Sequence, residues 1–236
     1  MLQSLKSLMS RPTAADSGLG WLDPWSQRRG EKLKRVRGDV GFVIEARFNE
    51  RPLRIEWGPS QRDYLLGREL RLRYDLGLPA GLEMLIVSRD LAEQLEARTF
   101  DDLTRDQQTG IDTQMPEEAR WLAMYDRVPG DLLPAGLRDL FAVLGAREAA
   151  AHAWIEGDLG VRLTRAASRW LGREIPLVLM TLRGRVYLRT EANALDEGLL
   201  DAVRQLGDAA AAAALRAAER PLAEPTTTTL DIDEVI

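Results

Sequence analysis

The sequence predicts an α+β protein in which an antiparallel sheet packs against helices on one face. Apolar and charged residues alternate over much of 41–87 and again over 176–190, which is the period of half-buried strands. Between these stretches, residues 89–98, 136–146 and 147–172 carry apolar positions at helical spacing. Strands grouped before and after a helical stretch favour the α+β class with an antiparallel sheet.

Four strands in the first half predict a meander. Apolar residues alternate with charged ones in 41–48, 53–57 and 70–76, whereas 82–87 is more fully apolar. Residues 49–52 (NERP) are typical of a turn, because Asn adopts left-handed backbone angles readily. The first two strands are therefore predicted to form a hairpin, and the first helix closes the meander.

The second half contains a long loop, a later hairpin and a final helix. Residues 99–116 are polar and aperiodic, and connections of that length are typically functional or disordered. The later hairpin over 176–190 is predicted to turn at Arg183-Gly184. A final helix is expected over 196–219, where Gly207 costs about 1 kcal/mol relative to alanine.

The chain is predicted to have three parts. Residues 1–37 form an N-terminal arm, flexible or partly helical, that is basic at 28–37. Residues 38–220 form a single α+β domain, a size that buries a substantial core. Residues 221–236 are rich in threonine and acidic side chains, which predicts a disordered tail.

The composition predicts a soluble cytoplasmic protein. Hydrophobic residues make up 45% of the chain and charged residues 29%, which is ordinary globular composition. No apolar run approaches the roughly 20 residues that cross a bilayer. The N-terminus also lacks the continuous apolar region of a signal peptide, so we expect no membrane span and a cytoplasmic location.

Missing residue types exclude several chemistries. The sequence has no cysteine and one histidine, which excludes a thiolate nucleophile, a disulfide and a site built on several histidines of one chain. The lysines are Lys6, Lys32 and Lys34, and none lies in a phosphate-binding loop motif. The remaining basic side chains are arginines, which suit carboxylate and phosphate recognition.

Candidate catalytic groups are few. His152 has Glu148 and Glu156 four residues away on either side, so one helix face carries all three. This trio is either a polar surface stripe or a metal site, although the usual second histidine is missing. Glu117 and Glu118 are either general acid–base groups or the acidic first turn of a helix. We predict no catalytic residue, cofactor or metal.

The strands also predict a basic surface on the sheet. If apolar side chains face the core, the opposite face carries six arginines and a tyrosine, with Glu45, Glu56 and Asp75 between them. Such a face could bind a phosphate, a nucleic acid or an acidic peptide, or it could be a solvated face of cross-strand ion pairs. The candidate binding residues are Arg47, Arg54, Arg71, Arg73, Arg185, Tyr187 and Arg189.

The two ends of the chain carry opposite charge. Residues 28–37 hold six basic side chains and one acidic side chain, Glu31, whereas the last fourteen residues hold four acids and no base. Aliphatic and acidic residues are paired in the C-terminal segment, as in many short docking peptides. This segment could bind a partner or the chain's own Arg-rich face. The candidate docking residues are Leu230, Asp231, Ile232, Asp233, Glu234, Val235 and Ile236.

Two tryptophans lie outside the predicted elements. Trp21 and Trp25 fall in the segment GLGWLDPW, where they either staple the arm to the domain or anchor a partner.

Three functions follow from these observations. The first is a non-enzymatic interaction or adaptor protein whose partner is another protein. The second is a binder of an anionic ligand or nucleic acid through the Arg-rich face, although the net charge of −5 is unlike that of a typical nucleic-acid binder. The third is an enzyme that uses carboxylates and arginine, with a pocket near His152 or residues 101–118.

Overall fold

The computed structural model describes residues 18–36, 40–106 and 115–219, which form six helices and eight strands. The helices are α1 (Leu22–Arg28), α2 (Arg89–Asp106), α3 (Glu117–Met124), α4 (Glu148–Ile155), α5 (Asp158–Arg169) and α6 (Glu197–Glu219). The strands are β1 (Lys32–Arg35), β2 (Phe42–Phe48), β3 (Arg51–Pro59), β4 (Arg68–Asp75), β5 (Met84–Ser88), β6 (Phe141–Gly145), β7 (Leu177–Leu182) and β8 (Arg185–Glu191).

The eight strands form one antiparallel sheet in the order β1-β2-β3-β4-β8-β7-β5-β6. The predicted α+β class and antiparallel sheet are confirmed. The strand order differs from a simple meander followed by a hairpin, because β7 and β8 insert between β4 and β5. The sheet also contains β1 and β6, which the sequence pattern did not reveal.

Two tight turns fix the hairpins at the positions that the sequence indicates. Asn49 and Glu50 have φ values of 46° and 62°, and they join β2 to β3. Arg183 and Gly184 have φ values of 50° and 79°, and they join β7 to β8. Positive φ at both central residues gives a turn whose twist matches that of the flanking strands.

The larger core lies on one face of the sheet, which we call the inner face. Alternate side chains of all the long strands point into it, including the fully buried Phe42, Ile55 and Leu188. Four helices cover this face, namely α1, α4, α5 and α6. Trp25 of α1 is fully buried there, and its Nε1 donates a hydrogen bond to Asp201 at 2.9 Å. Trp25 thus staples the predicted arm to the body of the protein.

A second, smaller core lies on the opposite or outer face. Helices α2 and α3 cover β5, β6 and β7 there, with Leu91, Leu95 and Trp121 among the buried side chains. The prediction placed helices on one face, whereas the structure adds these two on the other. Outer-face positions of β5, β6 and β7 are apolar, which is why this half is covered. The outer face of β1–β4 and β8 is charged, and we call it the open half.

Two elements differ from the sequence prediction. Residues 136–146 were expected to be helical, but β6 occupies Phe141–Gly145. All five residues of β6 are buried, and a short apolar run does not distinguish a buried strand from a helix segment. Helix α2 continues to Asp106, well into the predicted loop, whose residues 107–114 lie outside the described part. None of the described helices is both long and apolar enough to cross a membrane.

Candidate functional site

The seven predicted binding residues all lie on the outer face, where strand pairing arranges them in rows. In the row nearest the β2–β3 turn, Arg47 pairs with Pro52 on β3, while Asp75 pairs with Arg185. The next row contains Arg54, Arg73 and Tyr187 side by side. The third row contains Arg71 and Arg189. Pairing between β4 and β8, which are distant in the sequence, thus brings the two groups of arginines together.

In the third row, ion pairs within the protein occupy both guanidiniums, and we call this row closed. Arg71 and Arg189 are only 15% and 13% exposed, and both contact the fully buried carboxylate of Glu69. The guanidinium of Arg189 donates to Glu69 at 2.7 Å, and that of Arg71 donates at 3.3 Å. Arg71 also lies 3.2 Å from a carboxylate oxygen of Glu56. These two arginines are therefore structural, and they do not present their charge to a ligand.

A buried polar cluster that the sequence did not reveal lies beside this row. Glu118 of α3 is fully buried and accepts hydrogen bonds from Tyr64 and, at 2.8 Å, from Arg62. Burial and the neighbouring Glu118 carboxylate raise the pKa of Tyr64. The cluster ties α3 to the loop between β3 and β4. Helical spacing could have indicated it, because Glu118 shares a face with the buried Trp121 and Leu122.

The second row remains open to solvent. The side chain of Arg73 is exposed, and its guanidinium makes no ion pair or hydrogen bond with any other described residue. Arg54 on one side is 38% exposed and pairs with Glu56. Tyr187 on the other side is half-buried, and its ring packs against the smaller core. Arg73 thus places an unpaired guanidinium between a second guanidinium and an aromatic ring.

The arginines of the first row are paired but accessible. Arg47 is 71% exposed and lies 3.5 Å from Glu50. Arg185 is 39% exposed and lies 3.2 Å from Asp75. A hydrogen bond with Tyr187 and the ion pair with Asp75 raise the pKa of Arg185. Exposed ion pairs of this kind are worth about 0–1 kcal/mol, so an incoming carboxylate can replace the existing partner at little cost.

A groove of about 1000 Å³ runs past these two rows. Its walls come from residues 29–32, from strands β2, β3 and β4, and from the first half of α6. Its lining carries Lys32, Arg47, Arg54 and Arg73 together with acidic side chains, among them Glu45, Asp75 and Asp208. The groove therefore gives a ligand access to Arg47, Arg54 and Arg73, whereas Arg185, Tyr187 and the third row lie outside its lining.

Among the described residues, the other candidates form no second site. The Nε2 atom of His152 lies 2.9 Å from the carbonyl oxygen of Leu132 and 3.8 Å from a carboxylate oxygen of Glu156. No cluster of three or more metal-ligating side chains occurs within the described ranges. The predicted docking segment, 230–236, lies outside those ranges.

Comparison of this chain with protein-family models, with curated proteins and with solved structures found no match.

Proposed function

We propose that this protein is a non-enzymatic binding protein that recognises an acidic segment of a partner protein on the open half of its sheet. The observation that carries the proposal is Arg73, an exposed guanidinium with no partner among the described residues. Guanidinium groups form bidentate, charge-assisted hydrogen bonds with carboxylates. Arg54 and Tyr187 flank Arg73 and supply a second donor and an aromatic surface.

The charge pattern favours a peptide over a nucleic acid. Glu45, Glu56 and Asp75 lie between the arginines on the open half, and they would repel a continuous run of phosphates. The whole chain has a net charge of −5, which opposes the approach of a polyanion. An acidic peptide can place separate carboxylates at separate guanidiniums and leave gaps at the protein's own acids.

The expected affinity is modest and depends on salt. A hydrogen bond to a charged group contributes about 1.5–3 kcal/mol, and the accessible arginines are solvated before binding. Screening over a Debye length of about 8 Å at physiological ionic strength weakens each contact further. We therefore expect binding that is strongest at low salt, with a large share of the free energy from Arg73.

The test uses a fluorescein-labelled peptide in which six aspartates alternate with glycines, and fluorescence anisotropy at low salt. Arg73→Glu removes the unpaired guanidinium and adds a repelling carboxylate, so the Kd is expected to rise about tenfold or more. The matched control is Arg165→Glu on α5, an exposed arginine on a helix that packs against the inner face. It makes the same change in net charge and is expected to leave the Kd within about twofold.

Equal weakening by both variants would show a net-charge effect and would contradict the proposed site. A labelled single-stranded DNA oligonucleotide of the same charge is measured in parallel. Tighter binding of the oligonucleotide than of the peptide, lost in Arg73→Glu, would reassign the surface to nucleic acid and overturn the choice of a protein partner.

A further inference from the structure

The two edge strands of the sheet differ in how they are covered. At the β6 edge, the Val128 N–H donates to the Val143 carbonyl at 2.8 Å, and Arg127 forms a bridge with Leu144. At the opposite edge, β1 pairs with β2 and with no other strand in the described part of the chain. Unpaired backbone groups on an edge strand bind another extended segment readily.

The side chains of β1 define which segment would fit. Lys32 and Lys34 point to the outer face, are 70% and 52% exposed, and share one carboxylate, that of Glu45. Positive charge is therefore in excess along this side of the edge. Leu33 points to the inner face and packs against the larger core, and Val36 just beyond the strand is 45% exposed. Arg35 lies on the same side as Leu33, but its guanidinium is paired with Asp23. A matching strand therefore needs acids on the lysine side and aliphatic residues beside Leu33.

We propose that residues 230–233 of the same chain pair with β1 and extend the sheet at this edge. Residues 230–233 (LDID) alternate aliphatic and acidic side chains, which is the period of a strand. Pairing with β1 places Asp231 and Asp233 beside the two lysines and places Leu230 and Ile232 beside Leu33. A slip of one residue would exchange the two sides, so charge and hydrophobicity together fix the register.

The connecting chain is long enough for this pairing. An ion pair between Arg204 and Glu31 holds α6 next to the start of β1. From Arg204, α6 continues to Glu219, which at about 1.5 Å per residue is roughly 22 Å further along the helix. Residues 220–229 span up to about 33 Å when extended, so they reach back to β1.

The pairing would have two consequences at the surface. It covers the exposed edge, which prevents association of two copies through β1. It also places an acidic side chain beside Lys32, which lines the groove. The inference does not depend on the proposed function, because it concerns the strand edge and not the arginines of the open half.

The test is amide hydrogen exchange of residues 32–36 in the full chain, measured by NMR. Ile232→Pro removes a strand N–H and should make the protected amides of β1 exchange about tenfold faster or more. The control is Thr226→Pro, which adds the same residue to the connecting chain and should leave β1 exchange unchanged. The double substitution Asp231→Lys/Asp233→Lys should accelerate exchange, and adding Lys32→Glu/Lys34→Glu should restore protection.

Exchange rates of residues 32–36 that are identical in the native chain and in Ile232→Pro would overturn the proposal. Each measurement is repeated at two protein concentrations. Protection that is independent of concentration supports pairing within one chain. Protection that increases with concentration would show pairing between two copies and would contradict the assignment to the same chain.

Discussion

Glu69 is fully buried between Arg71 and Arg189, and both guanidiniums contact its carboxylate. Arg73 lies two residues after Arg71 on the same face of β4, and its side chain has no partner among the described residues. All three arginines occupy outward positions of alternating strands, so the sequence pattern does not distinguish them. Their roles differ because Glu69 contacts Arg71 and Arg189 and does not contact Arg73. A buried carboxylate neutralises the charge of the guanidiniums it contacts, so these guanidiniums have a structural role. The charge that remains for binding lies on Arg73 and its exposed neighbours.

Removal of the buried carboxylate is expected to destabilise the fold. Glu69→Gln leaves the buried Arg189 guanidinium without an anion and leaves Arg71 with Glu56 alone, which costs about 3–5 kcal/mol. The measurement is urea unfolding of the variant and of the native chain. The control is Glu45→Gln, whose side chain is exposed and pairs with two lysines, and which should leave the urea midpoint close to that of the native chain. Equal costs for the two variants would contradict the structural role of Glu69.

Tyrosine ionisation is expected to limit stability at high pH. A hydrogen bond to Glu83 raises the pKa of Tyr125 from its ordinary value of 10 to about 12. Because the folded pKa is the higher one, this contribution is complete below pH 10 and is lost as the pH rises to about 12. NMR of tyrosine labelled at Cζ should show Tyr125 titrating near pH 12 and moving toward 10 in Glu83→Gln. A Tyr125 titration near pH 10 in the native chain would contradict the hydrogen bond.

Helix α6 passes Gly207 without a break, although a helical glycine ordinarily weakens a helix. The structure gives the reason, since a Cβ at this position would lie 2.5 Å from the Tyr74 hydroxyl and 3.0 Å from Leu72. The glycine lets the helix approach β4 closely. The hydroxyl of Tyr74 is held there by a hydrogen bond to Asp208 at 2.8 Å.

Gly207→Ala is therefore expected to destabilise the protein by about 1–3 kcal/mol, because the added methyl group overpacks the contact. Helix propensity alone would give a gain of about 1 kcal/mol, so the sign of the change discriminates between the two effects. Gln205→Gly, at an exposed position of the same helix, is the control and should cost about 1 kcal/mol. A Gly207→Ala variant that melts higher than the native chain would contradict the close approach.

Local signals in the sequence were sufficient to predict the hairpins, but they were insufficient to predict the buried apolar strand. The β2–β3 and β7–β8 hairpins were predictable because alternating strands flank turn residues that adopt positive φ, Asn49 and Gly184 among them. Strand β6 was not predictable, because its five consecutive residues are all buried and show no alternation of apolar and polar side chains. Glu118 was expected at the start of a helix, but tertiary contacts with Arg62 and Tyr64 decide its burial.

At the scale of the whole molecule, strand order decides which side chains meet. The sequence predicts the outward direction of all seven candidate residues from their period of two. It does not predict that β8 lies beside β4, which brings Tyr187 next to Arg73. Nor does it predict that α2 and α3 cover only half of the outer face, which leaves the charged half as the accessible surface.

The most direct measurement is a map of amide chemical-shift changes as the peptide of alternating aspartate and glycine is added to ¹⁵N-labelled protein at low salt. We expect the largest changes on residues 45–47, 52–54, 73–75 and 185–187, with little change on α5. Changes concentrated on the helices of the inner face, or no change at any concentration, would contradict the assignment of the open half as the binding surface.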